Sequence, residues 1–259
     1  MTAGEPILFA VDDGLARLTL NRPARLNAFD ADLARAWARA TAEATARDDV
    51  GAIVLDAAGP AFCAGGDVVA MAQTMESGAD LTALAETING GIRALVGSHK
   101  PIVAAVQGAV AGGGLGVMLT ADCIVASERA KFTSKYANIG LTPDLGATTL
   151  LPAAIGQRRA LRLLLQDVTI DAATALEWGL VTEVVEPDAV AARADEIARS
   201  WLDGATGAFG QAKRLVRTGA GRTFDENLAD EAATIGAGFD TPEAKARIAA
   251  FVARSSQKG

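Results

Sequence analysis

Three continuous apolar runs restrict the fold of this chain more than any other feature of its sequence. They cover residues 51–56, 102–107 and 123–126. Each run is short and lacks the alternation of apolar and polar residues that marks a half-exposed strand, so each is typical of a strand buried on both faces of a parallel sheet. Helical stretches alternate with these runs, and the sequence therefore predicts an α/β fold.

Local signals place further elements around the three strands. Residues 7–11 and 15–20 are β-prone and are separated by Asp-Asp-Gly, which predicts a hairpin. Asp30 can cap a helix whose apolar residues repeat at spacings of four, three and four. Those apolar residues are Leu33, Trp37, Ala40 and Ala44. A second helix is expected over residues 81–95, and a short one from the glycine triplet at 112–114 to Thr120.

The chain becomes mostly helical from Asp144 onward, with one short strand expected near residues 181–185. We predict a core domain over residues 1–200 and a helical C-terminal region over residues 201–259. A chain of 259 residues, half of them hydrophobic, can bury one substantial core. Periodicity alone does not separate a spiral of β-β-α units from a doubly wound sheet.

Composition argues against several classes of function. The net charge is −7 and basic residues never run beyond two, which is unlike a nucleic-acid-binding protein. The N-terminal residues are not typical of a signal peptide and no apolar run is long enough for a membrane span, so we expect a cytoplasmic protein. Cys63 and Cys123 lie far apart in apolar stretches and are expected to be reduced core residues. With a single histidine, His99, we expect no metal site.

Two glycine-rich loops carry the first chemical signal, and each follows a buried strand. Residues 61–67 read Ala-Phe-Cys-Ala-Gly-Gly-Asp, and residues 107–114 read Gln-Gly-Ala-Val-Ala-Gly-Gly-Gly. Small residues let a ligand approach the backbone, and glycines at a helix N-terminus leave free N–H groups for a developing negative charge. Side by side, the loops could donate two hydrogen bonds to one oxygen, which would make an oxyanion hole. Either loop alone is also compatible with an ordinary tight turn.

Several motifs in order along the chain resemble those of the enoyl-CoA hydratase/isomerase (crotonase) superfamily. The match begins with Asn-Arg-Pro-Ala-Arg-Leu-Asn-Ala-Phe at residues 21–29 and includes both glycine-rich loops, the second entered through Lys100-Pro101. It continues through Ala130-Lys131-Phe132, Gly140-Leu141-Thr142-Pro143, residues 176–181 and Ala249-Ala250-Phe251. The resemblance implies a crotonase-like (ClpP/crotonase) spiral of β-β-α units with a helical C-terminal region.

The same resemblance implies roles for individual residues. Gly66 and Gly113 match the two oxyanion donors of the family. The residues that match its coenzyme A and acyl contacts are Arg25, Leu26, Ala28, Ala64, Asp67, Val68, Phe251 and Arg254. The family acts on acyl-CoA thioesters without a separate cofactor, since coenzyme A is part of the substrate, and it forms homotrimers or dimers of trimers. Ala246 and Arg247 depart from its C-terminal pattern.

The chain lacks both glutamates with which family hydratases activate water. Gly116 stands at the first of these positions and Tyr136 at the second. Asp144 stands where several isomerase relatives carry an acid/base aspartate and where dehalogenase relatives carry a nucleophile. An aspartate after Thr-Pro is also an ordinary helix N-cap, so both interpretations of Asp144 are open. Tyr136 either lines the acyl pocket or packs.

The resulting hypothesis is an enoyl-CoA isomerase that shifts a double bond through an enolate, with Asp144 as acid/base. The alternatives are a hydratase of the same fold and a thioester-binding protein without efficient catalysis. His99 is expected on the surface or in a loop. Lys213 and Arg214 are expected on a solvated helix face.

Overall fold

The three apolar runs form neighbouring strands at the centre of a six-stranded sheet. The computed structural model describes residues 4–256. The strands of this part of the chain are β1 (Ile7–Asp12), β2 (Leu15–Leu20), β3 (Ala52–Ala57), β4 (Ile102–Val106), β5 (Ala109–Ala111), β6 (Cys123–Ser127), β7 (Lys131–Thr133), β8 (Thr169–Asp171) and β9 (Glu183–Val185).

Eleven α-helices lie between and after these strands in residues 4–256. They are α1 (Ala31–Ala46), α2 (Val68–Thr74), α3 (Gly78–Gly97), α4 (Gly113–Met118), α5 (Ala147–Ile155), α6 (Gln157–Leu165), α7 (Ala172–Trp178), α8 (Val190–Asp203), α9 (Thr206–Gly219), α10 (Phe224–Phe239) and α11 (Pro242–Ser256). Short 3-10 turns occur at Pro23–Arg25, Ala137–Ile139 and Pro187–Ala189.

The chain alternates between two sheets as it advances. The larger sheet has the order β1-β2-β3-β4-β6-β9, with β1 and β2 antiparallel and the other pairs parallel. The smaller sheet has the order β5-β7-β8. After β4 the chain contributes β5 to the smaller sheet, and after β6 it contributes β7, with α4 between. This repeated strand–strand–helix unit is the β-β-α arrangement that the resemblance implied.

Helices cover both faces of the larger sheet because alternate residues of its strands point to opposite sides. Ile53 and Leu55 face a core that α1 and α3 complete, whereas Val54 and Val103 face a second cluster that includes buried residues of α8. The predicted stripe of α1 is buried throughout, and the Trp37 indole N–H donates to the Ile88 carbonyl at 3.1 Å. The capping prediction for Asp30 is also confirmed, since its carboxylate accepts from the Leu33 amide at 2.9 Å.

Two sequence predictions need correction. The C-terminal half has a second short strand, β8, which was not predicted because three residues leave no periodic signal. Lys213 does not lie on a solvated face: its side chain is buried, and its ammonium bonds to Asp122 Oδ2 at 2.9 Å and to the Lys100 carbonyl at 2.8 Å. Arg214 is half-buried and forms a bidentate ion pair with Asp230.

Helices α10 and α11 bury none of their described residues. Their large apolar side chains face outward, and a groove of about 1060 Å³ lies between α9, α10 and α11. The exposed apolar residues of the two helices include Phe224, Leu228, Ile235, Phe239, Ile248, Phe251 and Val252. This part of the chain therefore presents an unusually apolar surface.

Candidate active site

The two glycine-rich loops lie side by side because they follow adjacent parallel strands. Leu55 of β3 pairs with Ala104 of β4, so both strands end at the same edge of the sheet. Backbone hydrogen bonds then join the loops: Cys63 N–H donates to the Ala109 carbonyl at 3.2 Å, and Ala111 N–H donates to the Cys63 carbonyl at 2.9 Å. The two loops therefore lie side by side, the arrangement that a shared oxyanion hole would need.

Gly66 and Gly113 carry backbone amides that the loops leave available. The neighbouring amides are used, since Asp67 N–H donates to the Phe29 carbonyl and Gly112 N–H donates to the Thr133 carbonyl. Within residues 4–256, no acceptor takes the hydrogen of either the Gly66 or the Gly113 amide. Gly113 is the first residue of α4, whose initial N–H groups have no partner inside the helix. The two amides are therefore available to an external oxygen.

Glycine is required where the loops touch. A Cβ on Gly65 would lie 2.9 Å from the Ala111 carbonyl oxygen and 3.1 Å from the Gly113 nitrogen, and Gly65 has a left-handed φ of 92°. A side chain here would separate the loops and would approach one of the free amides. The composition of the loops thus follows from their close contact as well as from ligand access.

A cavity of about 390 Å³ is lined by both glycines whose amides are free. Six residues from the sequence prediction line it: Ala64, Gly66, Val68, Gly113, Tyr136 and Asp144. Most of the remaining wall is apolar and comes from the segment before α1, from α2 and α3, and from the segment before α5. These apolar residues are Phe29, Met71, Leu81, Leu84, Ala85, Ile88, Ile139, Leu141 and Leu145. The cavity joins a hydrophobic chamber to a pair of hydrogen-bond donors, as ligand sites commonly do.

Asp144 places a carboxylate at the same point of the cavity. Its Oδ1 lies 3.6 Å from the position that a Cβ on Gly113 would occupy, and it accepts a hydrogen bond from the Tyr136 hydroxyl at 2.6 Å. Burial raises the pKa of Asp144 by removing water from the charged form, and the hydrogen bond from Tyr136 opposes this effect. A carboxyl group whose pKa is raised in this way suits proton transfer.

The alternative interpretation of Asp144 as a helix N-cap is wrong. Helix α5 begins only at Ala147, its N-cap residue is Gly146, and no side chain caps it. Leu145 and Gly146 both have left-handed backbone conformations, with φ of 51° and 79°, and these direct the chain away from a helical start at Asp144.

The first hydratase glutamate is not only absent but sterically excluded. A Cβ on Gly116 would lie 2.1 Å from the Leu145 carbonyl oxygen and 2.9 Å from its carbonyl carbon. Any side chain at this position would have to displace the backbone next to Asp144. At the second position, Tyr136 is buried and directs its hydroxyl at Asp144. A water molecule held between two glutamates therefore has no counterpart here.

Asn27 organises the N-terminal motif, a role that the sequence interpretation did not assign. It is fully buried with a left-handed φ of 56°, which asparagine tolerates better than most residues. Its side-chain amide donates to the carbonyls of Ala58 and Ala61 at 2.9 Å and 2.8 Å, and its Oδ1 accepts from the Arg22 amide. These bonds fix the strand-to-loop segment that leads to Gly66. The sequence signal for this role is an asparagine that stands between two apolar residues of the motif.

The remaining predicted binding residues lie outside the cavity lining. Arg25 and Leu26 are exposed beside the first loop, and the Leu26 carbonyl accepts from the Ala64 amide at 3.0 Å. Ala28 is buried next to them. Phe251 and Arg254 lie on α11, exposed and apart from the cavity.

Asp67 is buried and uses its carboxylate within the protein. It caps α2 through the Ala70 amide and pairs with Arg22 and Arg25, each at 3.3 Å. Burial alone would raise the pKa of Asp67, but the hydrogen bonds from Ala70 and Arg22 and the charge of Arg25 hold it below its usual value. Its side chain therefore stabilises the first glycine-rich loop, and its backbone amide is also used within the protein, as the donor to the Phe29 carbonyl.

Other reactive groups contribute little to this site. Burial raises the pKa of the Cys63 thiol to about 12, so it stays protonated, and Cys123 is also a free thiol. His99 is exposed in the turn before β4, as predicted. In the described part of the chain, no three side chains gather as a metal-ligand set, and no helix has the length and apolar character to cross a membrane.

Known proteins are similar to this chain over nearly its whole length. A family model described as enoyl-CoA hydratase/isomerase matches residues 10–258. The chain is similar to 1,2-epoxyphenylacetyl-CoA isomerase of Escherichia coli (strain K12), with 33% identity over 226 residues, which is 86% of each protein. It is also similar to a short-chain-enoyl-CoA hydratase of Clostridium acetobutylicum, with 31% identity over 256 residues, covering 98% of this chain and 97% of the relative. A solved enoyl-CoA hydratase/isomerase from Cupriavidus metallidurans CH34 superposes with a TM-score of 0.89 and 32% identity, covering 98% of this chain and 96% of that one.

Proposed function

The chain belongs to the enoyl-CoA hydratase/isomerase family and has its crotonase fold, and on this premise we propose that it is an enoyl-CoA isomerase. The observation that carries the proposal is the Asp144 carboxylate, which is the one acidic side chain that lines the cavity in residues 4–256. It lies beside the Gly113 amide, while the position of the first hydratase glutamate has no room for a side chain. Relatives named as isomerases and as hydratases are both similar to the chain.

The proposed reaction moves one proton between two carbons of the acyl group. With a 3-enoyl thioester, the Asp144 carboxylate removes a proton from carbon 2, and the electrons delocalise onto the thioester oxygen as a dienolate. The protonated Asp144 then returns the proton to carbon 4, which leaves the double bond between carbons 2 and 3. The carboxylate is regenerated, and no water, oxidant or reductant is consumed.

The Gly66 and Gly113 amides would stabilise the negative oxygen of this intermediate. Each donor of such an oxyanion hole contributes on the order of 3 kcal/mol to the transition state. The adjacent apolar walls strengthen the effect, since charges and dipoles interact more strongly where water is excluded. The same walls suit a hydrocarbon acyl group.

We also propose that coenzyme A enters past Arg25, Leu26 and Ala64 and that it is part of the substrate rather than a cofactor. The exposed apolar surface of α10 and α11 supports assembly into a homotrimer or a dimer of trimers, with Phe251 and Arg254 brought near a neighbouring subunit. In this proposal residues 1–200 form the catalytic domain, and residues 201–259 form the assembly region.

Incubation with a 3-enoyl-CoA and, separately, a 2-enoyl-CoA tests the proposal. Double-bond migration without uptake of solvent oxygen is expected. Hydration of the 2-enoyl-CoA would instead identify a hydratase, the activity named for the similar Clostridium acetobutylicum protein. Thioester binding without turnover of either compound would identify a binding protein and refute both enzymatic alternatives.

A further inference from the structure

The Tyr136–Asp144 contact has chemical consequences beyond lining the cavity. Tyr136 is the only tyrosine of the chain, and the residue is 8% exposed. Its hydroxyl donates to Asp144 Oδ1 at 2.6 Å. Among residues 4–256, no other side chain donates a hydrogen bond to this carboxylate. Tyr136 therefore controls the orientation of the group to which we assign proton transfer.

We propose that Tyr136 is a positioning residue whose hydroxyl holds the Asp144 carboxylate beside Gly113 and stabilises its charged form; this inference rests on the proposed isomerase function. The hydroxyl acts through Asp144 rather than on the substrate. Its single proton is already directed at Oδ1, so the hydroxyl is occupied before a ligand arrives.

The tyrosine is itself held on both sides. Lys135, which precedes it, has a left-handed φ of 57°, and its ammonium pairs with Asp167. Asn138, two residues after Tyr136, donates to the other oxygen of Asp167 at 2.9 Å. The Tyr136 carbonyl also accepts from the Leu141 amide at 3.1 Å. The ring is thus carried by an anchored turn, so the hydroxyl can fix the carboxylate instead of following it.

The other titratable groups near Tyr136 and Asp144 are neutral or already paired, so the Tyr136 hydroxyl is the main polar contact of the Asp144 carboxylate. Lys135 lines the same cavity, but its charge is paired with Asp167. Cys63 lies near Tyr136 and stays neutral because burial raises its pKa. Burial and the negative charge of Asp144 raise the pKa of Tyr136, so the hydroxyl stays protonated and remains a donor at neutral pH.

Removal of the hydroxyl should change the protonation of Asp144 in a defined direction. Burial already raises the pKa of Asp144, and the Tyr136 hydrogen bond holds it back. In Tyr136→Phe the opposing contact is gone, so the pKa of Asp144 rises further and less carboxylate is present at neutral pH. The acid limb of the kcat/KM profile therefore moves to higher pH.

Kinetics of Tyr136→Phe with a 3-enoyl-CoA test this inference. We expect kcat at neutral pH to fall by about ten- to a hundredfold, the range of one hydrogen bond to a charged group, with KM little changed. Thr41→Val is the matched control, because it removes a buried hydroxyl that bonds only within α1. A Tyr136→Phe enzyme with an unmoved acid limb and the wild-type kcat would overturn the inference.

Tyrosine NMR tests the contact without turnover. Because the chain has one tyrosine, a ¹³C label on the tyrosine Cζ gives a single signal. In the wild-type protein this signal should titrate with the carboxyl of Asp144, and in Asp144→Asn the titration should disappear. A signal that titrates identically in both proteins would refute the contact. Failure of the isomerase proposal is distinguishable, since it removes turnover by the wild type and leaves this titration in place.

Discussion

Replacement of Asp144 by asparagine separates catalysis from structure at the candidate site. The substitution keeps the size of the side chain, and its carbonyl can still accept the Tyr136 hydrogen bond. It removes only the charge and the ability to exchange a proton. No helix cap is lost, since α5 begins at Ala147 with Gly146 as its N-cap. Any large loss of rate in Asp144→Asn is therefore attributable to chemistry.

The expected loss of turnover is about 10²- to 10⁴-fold, the usual contribution of a positioned acid or base. This corresponds to about 3 to 5 kcal/mol of activation free energy. The free energy of unfolding should not fall, because burial raises the pKa of Asp144 and the folded state therefore disfavours its charge. Asparagine removes that unfavourable burial.

The free energy of unfolding should depend on pH because burial raises the pKa of Asp144 in the folded state. A carboxyl whose pKa is raised on folding binds more protons in the folded state than in the unfolded state. The contribution of Asp144 to the free energy of unfolding is therefore fully present at pH values below the pKa of Asp144 in the unfolded state. It is lost as pH rises through the pKa of Asp144 in the folded state. Asp144→Asn should lack this decline, which urea unfolding at several pH values can measure.

The assay combines turnover of a 3-enoyl-CoA, calorimetric binding of a saturated acyl-CoA, and the melting temperature. The variant should bind, melt no earlier than the wild type, and turn over slowly. Asp32→Asn, on the exposed face of α1, controls for the change in net charge. A rate for Asp144→Asn within about threefold of wild type would refute the acid/base assignment.

Three further predictions concern the oxyanion donors, the fold and the assembly. Gly113→Val should lose at least about 10²-fold in kcat, since its Cβ would lie 2.7 Å from Leu145 Cδ1, beside the donor amide. Gly90→Val is the control, because a Cβ there would lie in open space. A Gly113→Val protein that folds and keeps the wild-type kcat would contradict the prediction. Lys213→Met should lower the free energy of unfolding by about 2 kcal/mol in urea titrations, because Asp122 loses its ion pair with Lys213 and keeps only the one with Arg217. A change below about 0.5 kcal/mol would be inconsistent with a buried ion pair. Light scattering at micromolar concentration should give the mass of a trimer or hexamer, whereas a monomer would exclude the proposed assembly.

The sequence predicted those parts of the fold whose signals are local. The stripe of α1 could be identified because all four apolar residues lie on one helix and repeat at its period. The buried strands were identified because continuous apolar runs need cover on both faces. The glycine loops could be paired because each follows one of these strands.

Features that depend on distant partners were not accessible in this way. Lys213 has the spacing of a solvated helix residue, and its partner Asp122 lies 91 positions earlier in the sequence. The Tyr136–Asp144 bond depends on the left-handed conformation of Lys135 and on the turn that follows, which no periodicity encodes. The two interpretations of Asp144 could be separated only once Leu145 and Gly146 were seen in left-handed conformations.

The contact between Leu145 and Gly116 limits how this scaffold can change its chemistry over time. A carboxylate introduced at position 116 would push against the Leu145 carbonyl, which belongs to the same short segment as Asp144. Under the proposed mechanism, a glutamate introduced at position 116 to activate water would thus displace Asp144, the existing base, before the new carboxylate could function. If the proposed mechanism holds, an evolutionary or engineered path to a glutamate at position 116 must first remodel the segment that precedes α5.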